Sequence, residues 1–216
     1  MHFNILNLVI LLPILMFSVI LHEVAHGWMA GKFGDDTARM MGRLTFNSIP
    51  HIDVIGTLVL PAICLLTGAP VFGWAKPVPV DFYRLNNPKQ DMIWVSLAGP
   101  LSNVALALFS ALILWAERTY QFLPGSLSFA VQNLFFLVLY LNIVLCVFNL
   151  IPVPPLDGSK VLMGLLPPNL AYRYAQLEQY GFILIIILMA TNVFSIILGP
   201  VVGFLVGLLT GNRIFL

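Results

Sequence analysis

Charge is scarce in this chain. Of its 216 residues 9% are Asp, Glu, Lys or Arg while 60% are hydrophobic, and the mean hydropathy is +0.97. A water-soluble domain with a polar surface does not reach these values. Five runs have no charged side chain at all: Met1 to Leu21, Val54 to Ala75, Met92 to Ala116, Thr119 to Leu156 and Gln179 to Asn212, of 21, 22, 25, 38 and 34 residues. Each reaches the roughly 20 residues that cross a hydrocarbon core as a helix. A soluble enzyme is excluded, and so is a β-barrel, whose strands would alternate apolar and polar residues. A basic tract is also missing: the net charge is +1, so no nucleic acid partner is expected and the surroundings are a lipid bilayer. Cysteine is nearly absent, and Cys64 and Cys146 both lie in apolar runs, which leaves no disulfide framework or cysteine metal cluster. No internal repeat is evident. The chain therefore reads as one membrane-embedded domain over 1–216, its first run a retained helix because it lacks the basic start and small-residue cleavage site of a signal peptide.

What is present is a series of apolar segments with sharp polar interruptions. A first helix is expected from about Asn4 to Gly31, followed by a polar stretch in which Arg43 to Asn47 alternates like a strand. An apolar segment from Ile52 to Leu66 comes next, then an irregular one from Gly68 to Asp91 in which Pro70, Pro77, Pro79 and Pro88 oppose a helix. Long helices are expected at Met92 to Glu117 and Leu127 to Leu150, a short one at Asp157 to Leu166, and one or two in the last run, broken at Gly199-Pro200. The fold class is all-α and polytopic, with about 4 to 6 transmembrane helices.

An ionisable residue inside such segments is costly and is a functional candidate by default. The first helix carries His22-Glu23-Val24-Ala25-His26, the spacing HExxH. Four residues are a little over one helical turn, so both imidazoles project from one face about 6 Å apart along the axis, within reach of a single zinc ion. Glu23 projects beside them, placed to take a proton from water rather than to bind metal. A hydrolytic zinc site needs a third protein ligand and an open position. Asp157 is the candidate, in Asn149-Leu150-Ile151-Pro152-Val153-Pro154-Pro155-Leu156-Asp157-Gly158, where prolines stop the third long helix and glycine lets the chain turn. The bland alternative is an N-cap for the short helix that follows.

With these residues in hand, the sequence resembles the site-2 protease family of intramembrane zinc metalloproteases. The likeness rests on HExxH in the first helix, Ala98-Gly99-Pro100 with Asn103 in the second long one, and Asn149, Pro152 and Asp157-Gly158 after the third. Arg43 to Gly56 and Gly73 to Val80 are similar to the compact branch without PDZ or CBS domains, although Ser48 and Ser159 depart from its usual pattern. The resemblance implies one Zn2+ per chain held by His22, His26 and Asp157, Glu23 as general base and Asn149 in contact with substrate. The substrate implied is the transmembrane segment of another protein or peptide, cleaved in regulated intramembrane proteolysis or in membrane-peptide clearance. The rival is a metal-binding transporter or a catalytically silent relative, but matched broken halves are not evident and Glu23 is retained.

Topology adds a condition. If His22, His26 and Asp157 share one ion, the helices that carry them must end on the same side, so Ile52 to Asp91 must dip in and return rather than cross. On that arrangement eight of the ten basic residues fall on the zinc side, which puts it toward the cytoplasm of a bacterial or archaeal cell. Trp74 to Asp81 reads as an extended edge with free amides and carbonyls, so that Lys76, Pro77 and Val78 could take a substrate by strand addition. His51 and Asp53 are candidate partners of a zinc ligand, and Asn47, His51 and Lys76 candidate linings for water access. Ala98, Gly99, Ser102 and Asn103 suggest a close-packing helix face.

Overall fold

The computed structural model describes residues 5–67, 73–191 and 193–211. Among these residues the regular structure is entirely helical. The chain divides into two compact units, Met1–Asp91 and Met92–Leu216.

In the first unit, helix α1 spans Ile5–Lys32. Its end is a glycine stop: Gly34 sits at φ +104° and the Asp35 N–H donates to the Ala30 carbonyl at 3.0 Å, closing the last turn. Helix α2, Thr37–Met40, is a single turn. The stretch Arg43 to Asn47 is not a strand: no strand among the described residues pairs with it, and an isolated strand has nothing to bond. A π-helical turn at Val54–Val59 runs into helix α3, Leu60–Thr67. Together they are about 21 Å long at 1.5 Å per residue, short of a hydrocarbon core of about 30 Å. The chain then comes back to its starting point: the Trp74 N–H donates to the Gly56 carbonyl at 3.1 Å and the Lys76 N–H to the His51 carbonyl at 2.8 Å. The expected out-and-back course is therefore present, and its return leg, from Gly73 to Asp81, lacks helix.

Helix α4 spans Pro88–Tyr120 and starts four residues earlier than expected. Pro88 stands at its first position, where a missing N–H costs nothing, so it opens the helix instead of opposing it. Asp91 reaches back to accept from the Asn87 N–H at 2.7 Å.

In the second unit, α5 spans Gly125–Asn149, α6 Asp157–Leu165, α7 Pro168–Ala175, α8 Gly181–Ala190 and α9 Val193–Thr210. The last apolar run breaks between Ala190 and Val193 rather than at Gly199-Pro200. Pro200 lies inside α9, where it removes one backbone bond and the apolar surroundings keep the rest of the helix formed. Helix α7 was not anticipated. Ala107 and Leu114 of α4, Leu139 and Ile143 of α5, and Val202 and Val206 of α9 form the buried core. The Arg118 guanidinium donates to the Thr210 carbonyl at 2.6 Å and so caps α9.

Among the described residues, three helices are long and apolar enough to cross a membrane: α1, α4 and α5. By length and composition these are the helices of an integral membrane protein. Its exposed surface is rich in large apolar side chains, Phe17, Trp28, Leu108, Phe109, Leu112 and Phe136 among them, as a lipid-facing surface requires.

Candidate metal centre

His22 and His26 lie one turn apart on α1 and are both buried. Their Nε2 atoms are 3.1 Å apart. Two nitrogens at that distance share either one proton or one cation. Two ligands of a tetrahedral zinc at 2.0–2.1 Å would stand about 3.3 Å apart, so the pair fits adjacent positions on one ion. The rings cross at 85°, with centroids 4.7 Å apart. Glu23, between them in sequence, is half-buried, and its Oε2 accepts the Val78 N–H at 2.8 Å.

α1 is held against the return segment at this level. A Cβ on Gly27 would come within 2.7 Å of Val78 Cγ1 and 2.8 Å of Ala38 Cβ and Leu44 Cδ2, so a larger residue would push that segment off the helix. The segment is pinned elsewhere too. Arg43, buried, donates from Nη2 to the Lys76 carbonyl at 2.9 Å and the Pro77 carbonyl at 3.2 Å. The Trp74 carbonyl accepts from the Thr57 hydroxyl at 2.9 Å, and the Asp81 N–H donates to Asp35 Oδ2 at 2.7 Å.

The expected open edge is consequently mostly closed. Between residues 74 and 81 the amides of Trp74, Lys76, Val78 and Asp81 have partners, and Pro77 and Pro79 have no N–H. Ala75 and Val80 keep theirs. The carbonyls of Trp74, Lys76 and Pro77 are also engaged.

Asp35 is fully buried. Burial alone would raise its pKa, but hydrogen bonds from the Thr37 hydroxyl and from the Asp81 and Thr37 N–H groups, with the Arg84 charge, outweigh it and hold the carboxyl below its ordinary value.

His51 and Asp53 bond within their own loop. His51 is fully buried and donates from Nε2 to the Thr45 carbonyl at 3.0 Å. Asp53 caps the π-helical turn by accepting the Gly56 N–H at 2.7 Å. Asn47 is exposed and accepts the Ile49 N–H, and Lys76 is exposed.

In the second unit Asp157 is buried and opens α6 as its first helical residue. The cap position belongs to Leu156, so the N-cap alternative does not describe it. Gly158 sets this junction: a Cβ there would lie 2.2 Å from the Leu150 carbonyl oxygen, and only glycine lets α6 start so close to the end of α5. Asn149 is half-buried and donates from Nδ2 to the Leu145 carbonyl at 3.0 Å, which leaves its Oδ1 for other use.

The sequence pointed to Arg43 only as the start of a strand-like stretch and to Asp35 only as turn chemistry after the first helix, not to the contacts they make with the return segment. In a chain with 19 charged residues, any charged side chain next to a proline-rich apolar stretch was the available pointer.

A model of peptidase family M50 matches residues 10–125 and 118–191. Three relatives share the name "Putative zinc metalloprotease". YwhC of Bacillus subtilis is 39% identical over 89% of this chain and 87% of its own length. Rip2 of Mycolicibacterium smegmatis is 30% identical over 82% of this chain and 64% of its own, and MJ0611 of Methanocaldococcus jannaschii is 31% identical over 74% and 73%. No solved structure matches the chain significantly.

Proposed function

Because the chain belongs to peptidase family M50, the site-2 protease family, we propose that it is a zinc metalloendopeptidase that hydrolyses a peptide bond in or near the membrane-spanning segment of another protein. The observation that carries the reading is the buried His22–His26 nitrogen pair, 3.1 Å apart on a membrane-length helix, with Glu23 beside it.

His22, His26 and Asp157 would hold one Zn2+ per chain, two neutral nitrogens and one carboxylate that leave a position open. When bound, zinc supplies Lewis-acid polarisation of the scissile carbonyl and makes water acidic enough to give up a proton near neutrality. Glu23 takes that proton as the water oxygen adds to the carbonyl carbon, then passes it to the leaving nitrogen as the C–N bond breaks. Asn149, with Oδ1 available, would receive a backbone N–H of the substrate. Contact at Lys76 and Pro77 would be made by their exposed side chains and by the Ala75 and Val80 amides, whereas the Val78 side chain is buried against α1. The short excursion through α3 would be a re-entrant element that gives water a protein-lined route. The distribution of basic residues supports a site facing the cytoplasm.

The test is Glu23→Gln in the purified, zinc-loaded enzyme. Cleavage of a membrane substrate should fall by at least about 100-fold, within the range for loss of a general base, with bound zinc unchanged. Asp157→Ala should instead lower the zinc content. Full proteolysis by Glu23→Gln would remove the mechanism, and full zinc occupancy in Asp157→Ala would remove that ligand.

A further inference from the structure

We propose that the backbone N–H of Val78 is the positioning group for the Glu23 carboxylate, and that residues 74–81 form a fixed arm that holds this amide in place. The inference rests on the reading of Glu23 as proton carrier and assigns work to the arm that strand pairing with a substrate would not.

The contact itself is short: the Val78 N–H donates to Glu23 Oε2 at 2.8 Å across 55 residues of sequence. The pattern Pro77-Val78-Pro79 makes Val78 the one possible amide donor of the three. Its side chain is buried, with Cγ1 so near Gly27, one turn beyond Glu23, that only glycine fits there. Side chain and amide of one residue thus dock on one face of α1.

The arm is braced at residues 74, 76, 77 and 81. Trp74 is tied to Gly56, Lys76 to His51, the carbonyls of Lys76 and Pro77 to Arg43, and Asp81 to Asp35. Arg43 is the brace nearest the contact and grips the two carbonyls that immediately precede the Val78 amide. A segment tethered in this way is a rigid support rather than a swinging one.

The chemistry follows from what an amide can do. It donates and has no basic lone pair, so the proton from the attacking water cannot pass to it. Oε2 is committed to Val78, and Oε1 receives the proton and returns it to the leaving nitrogen. A free glutamate side chain must be ordered for each turnover, and a carboxylate already held by one oxygen needs less ordering. Loss of the amide should therefore appear in kcat rather than in KM.

The experiment replaces the Val78 amide by an ester, through incorporation of the α-hydroxy analogue of valine in the full-length zinc enzyme. The side chain is kept and one N–H is removed. The expected result is a fall in kcat of about tenfold, the size seen when supporting partners of a catalytic group are lost, with KM and bound zinc unchanged. The same replacement at Asn86, whose N–H donates to the Phe33 carbonyl at 2.8 Å outside the arm, removes a backbone bond without touching Glu23 or its support and should lower thermal stability while kcat stays within about twofold. Arg43→Ala should lower kcat and Arg43→Lys restore part of it. An unchanged kcat in the Val78 ester overturns the proposal, as does a rise in KM alone, which would make the amide a substrate contact, or an equal loss of kcat in the Asn86 ester. Full activity in Glu23→Gln would instead remove the underlying reading, so the two failures are distinguishable.

Discussion

Asp35 shows how one side chain beyond the end of α1 sets the position of a segment 46 residues away. One oxygen closes a turn with Thr37 and the other accepts the Asp81 amide. The folded carboxyl lies below its ordinary value, so its contribution to stability is present above about pH 4 and is lost as pH falls through the folded value. Thermal or denaturant unfolding in detergent should show Asp35→Asn less stable than wild type by about 1–3 kcal/mol at pH 7. The gap should close as pH drops below about 4, and a constant gap would separate the residue's role from its charge. Legibility at this scale depended on sequence distance. His22, Glu23 and His26 can be read directly because a helix converts a spacing of four into a shared face. The Asp35–Asp81, Glu23–Val78 and Arg43–Lys76 contacts span 46, 55 and 33 residues, and no local pattern encodes them.

At the scale of elements, α4 is the least lipid-like of the three long helices. Ser96, Asn103, Ser110 and Glu117 are all buried and recur every seven residues on one face. Asn103 donates to the Oδ1 of Asn142 on α5 at 2.8 Å, a hydrogen bond made deep in the apolar core. Asn103→Leu or Asn142→Leu alone should destabilise the protein by about 0.6–2 kcal/mol, and the double variant should cost less than the sum, because neither leaves the other unpaired. Strict additivity in unfolding measurements would mean that the two amides act independently. The sequence marked the small residues around Asn103 as a packing face, and the element is there. It did not mark Glu117, which stands where a helix end at the membrane surface is expected and is nonetheless buried. Boundaries shifted for identifiable reasons. Pro88 opens a helix because its missing N–H falls in the first turn, and Pro200 is absorbed because an apolar environment leaves helix as the one satisfied backbone state.

For the whole molecule, the scarcity of charge that placed the chain in a bilayer also underlies its proposed orientation. Basic residues concentrate in the segments after α1, before α4 and after α5, while the link from Gln121 to Pro124 between α4 and α5 carries none. Cysteine introduced at Ser126, in the first turn of α5, should react with a membrane-impermeant thiol reagent on intact cells, and cysteine at Lys76 only after permeabilisation. The opposite pattern would invert the proposed orientation. Native Cys64 and Cys146 are buried and give a low background. The all-helical class and the existence of the long spans were readable from composition and run length. In the sequence the out-and-back course of 52–81 followed only from the expectation that His22, His26 and Asp157 share one ion, whereas the backbone bonds from Trp74 to Gly56 and Lys76 to His51 show the return of the chain without it.

The closed edge at 74–81 also bears on how such an enzyme can be inhibited. Many protease inhibitors gain affinity by lying alongside an open strand and borrowing its backbone donors. Here Ala75 and Val80 are the amides left to borrow, five residues apart with two prolines between them. A peptide mimic built on strand pairing would have little to grip, and a compound that competes with the Val78 amide for the Glu23 carboxylate would have a defined, single-donor target.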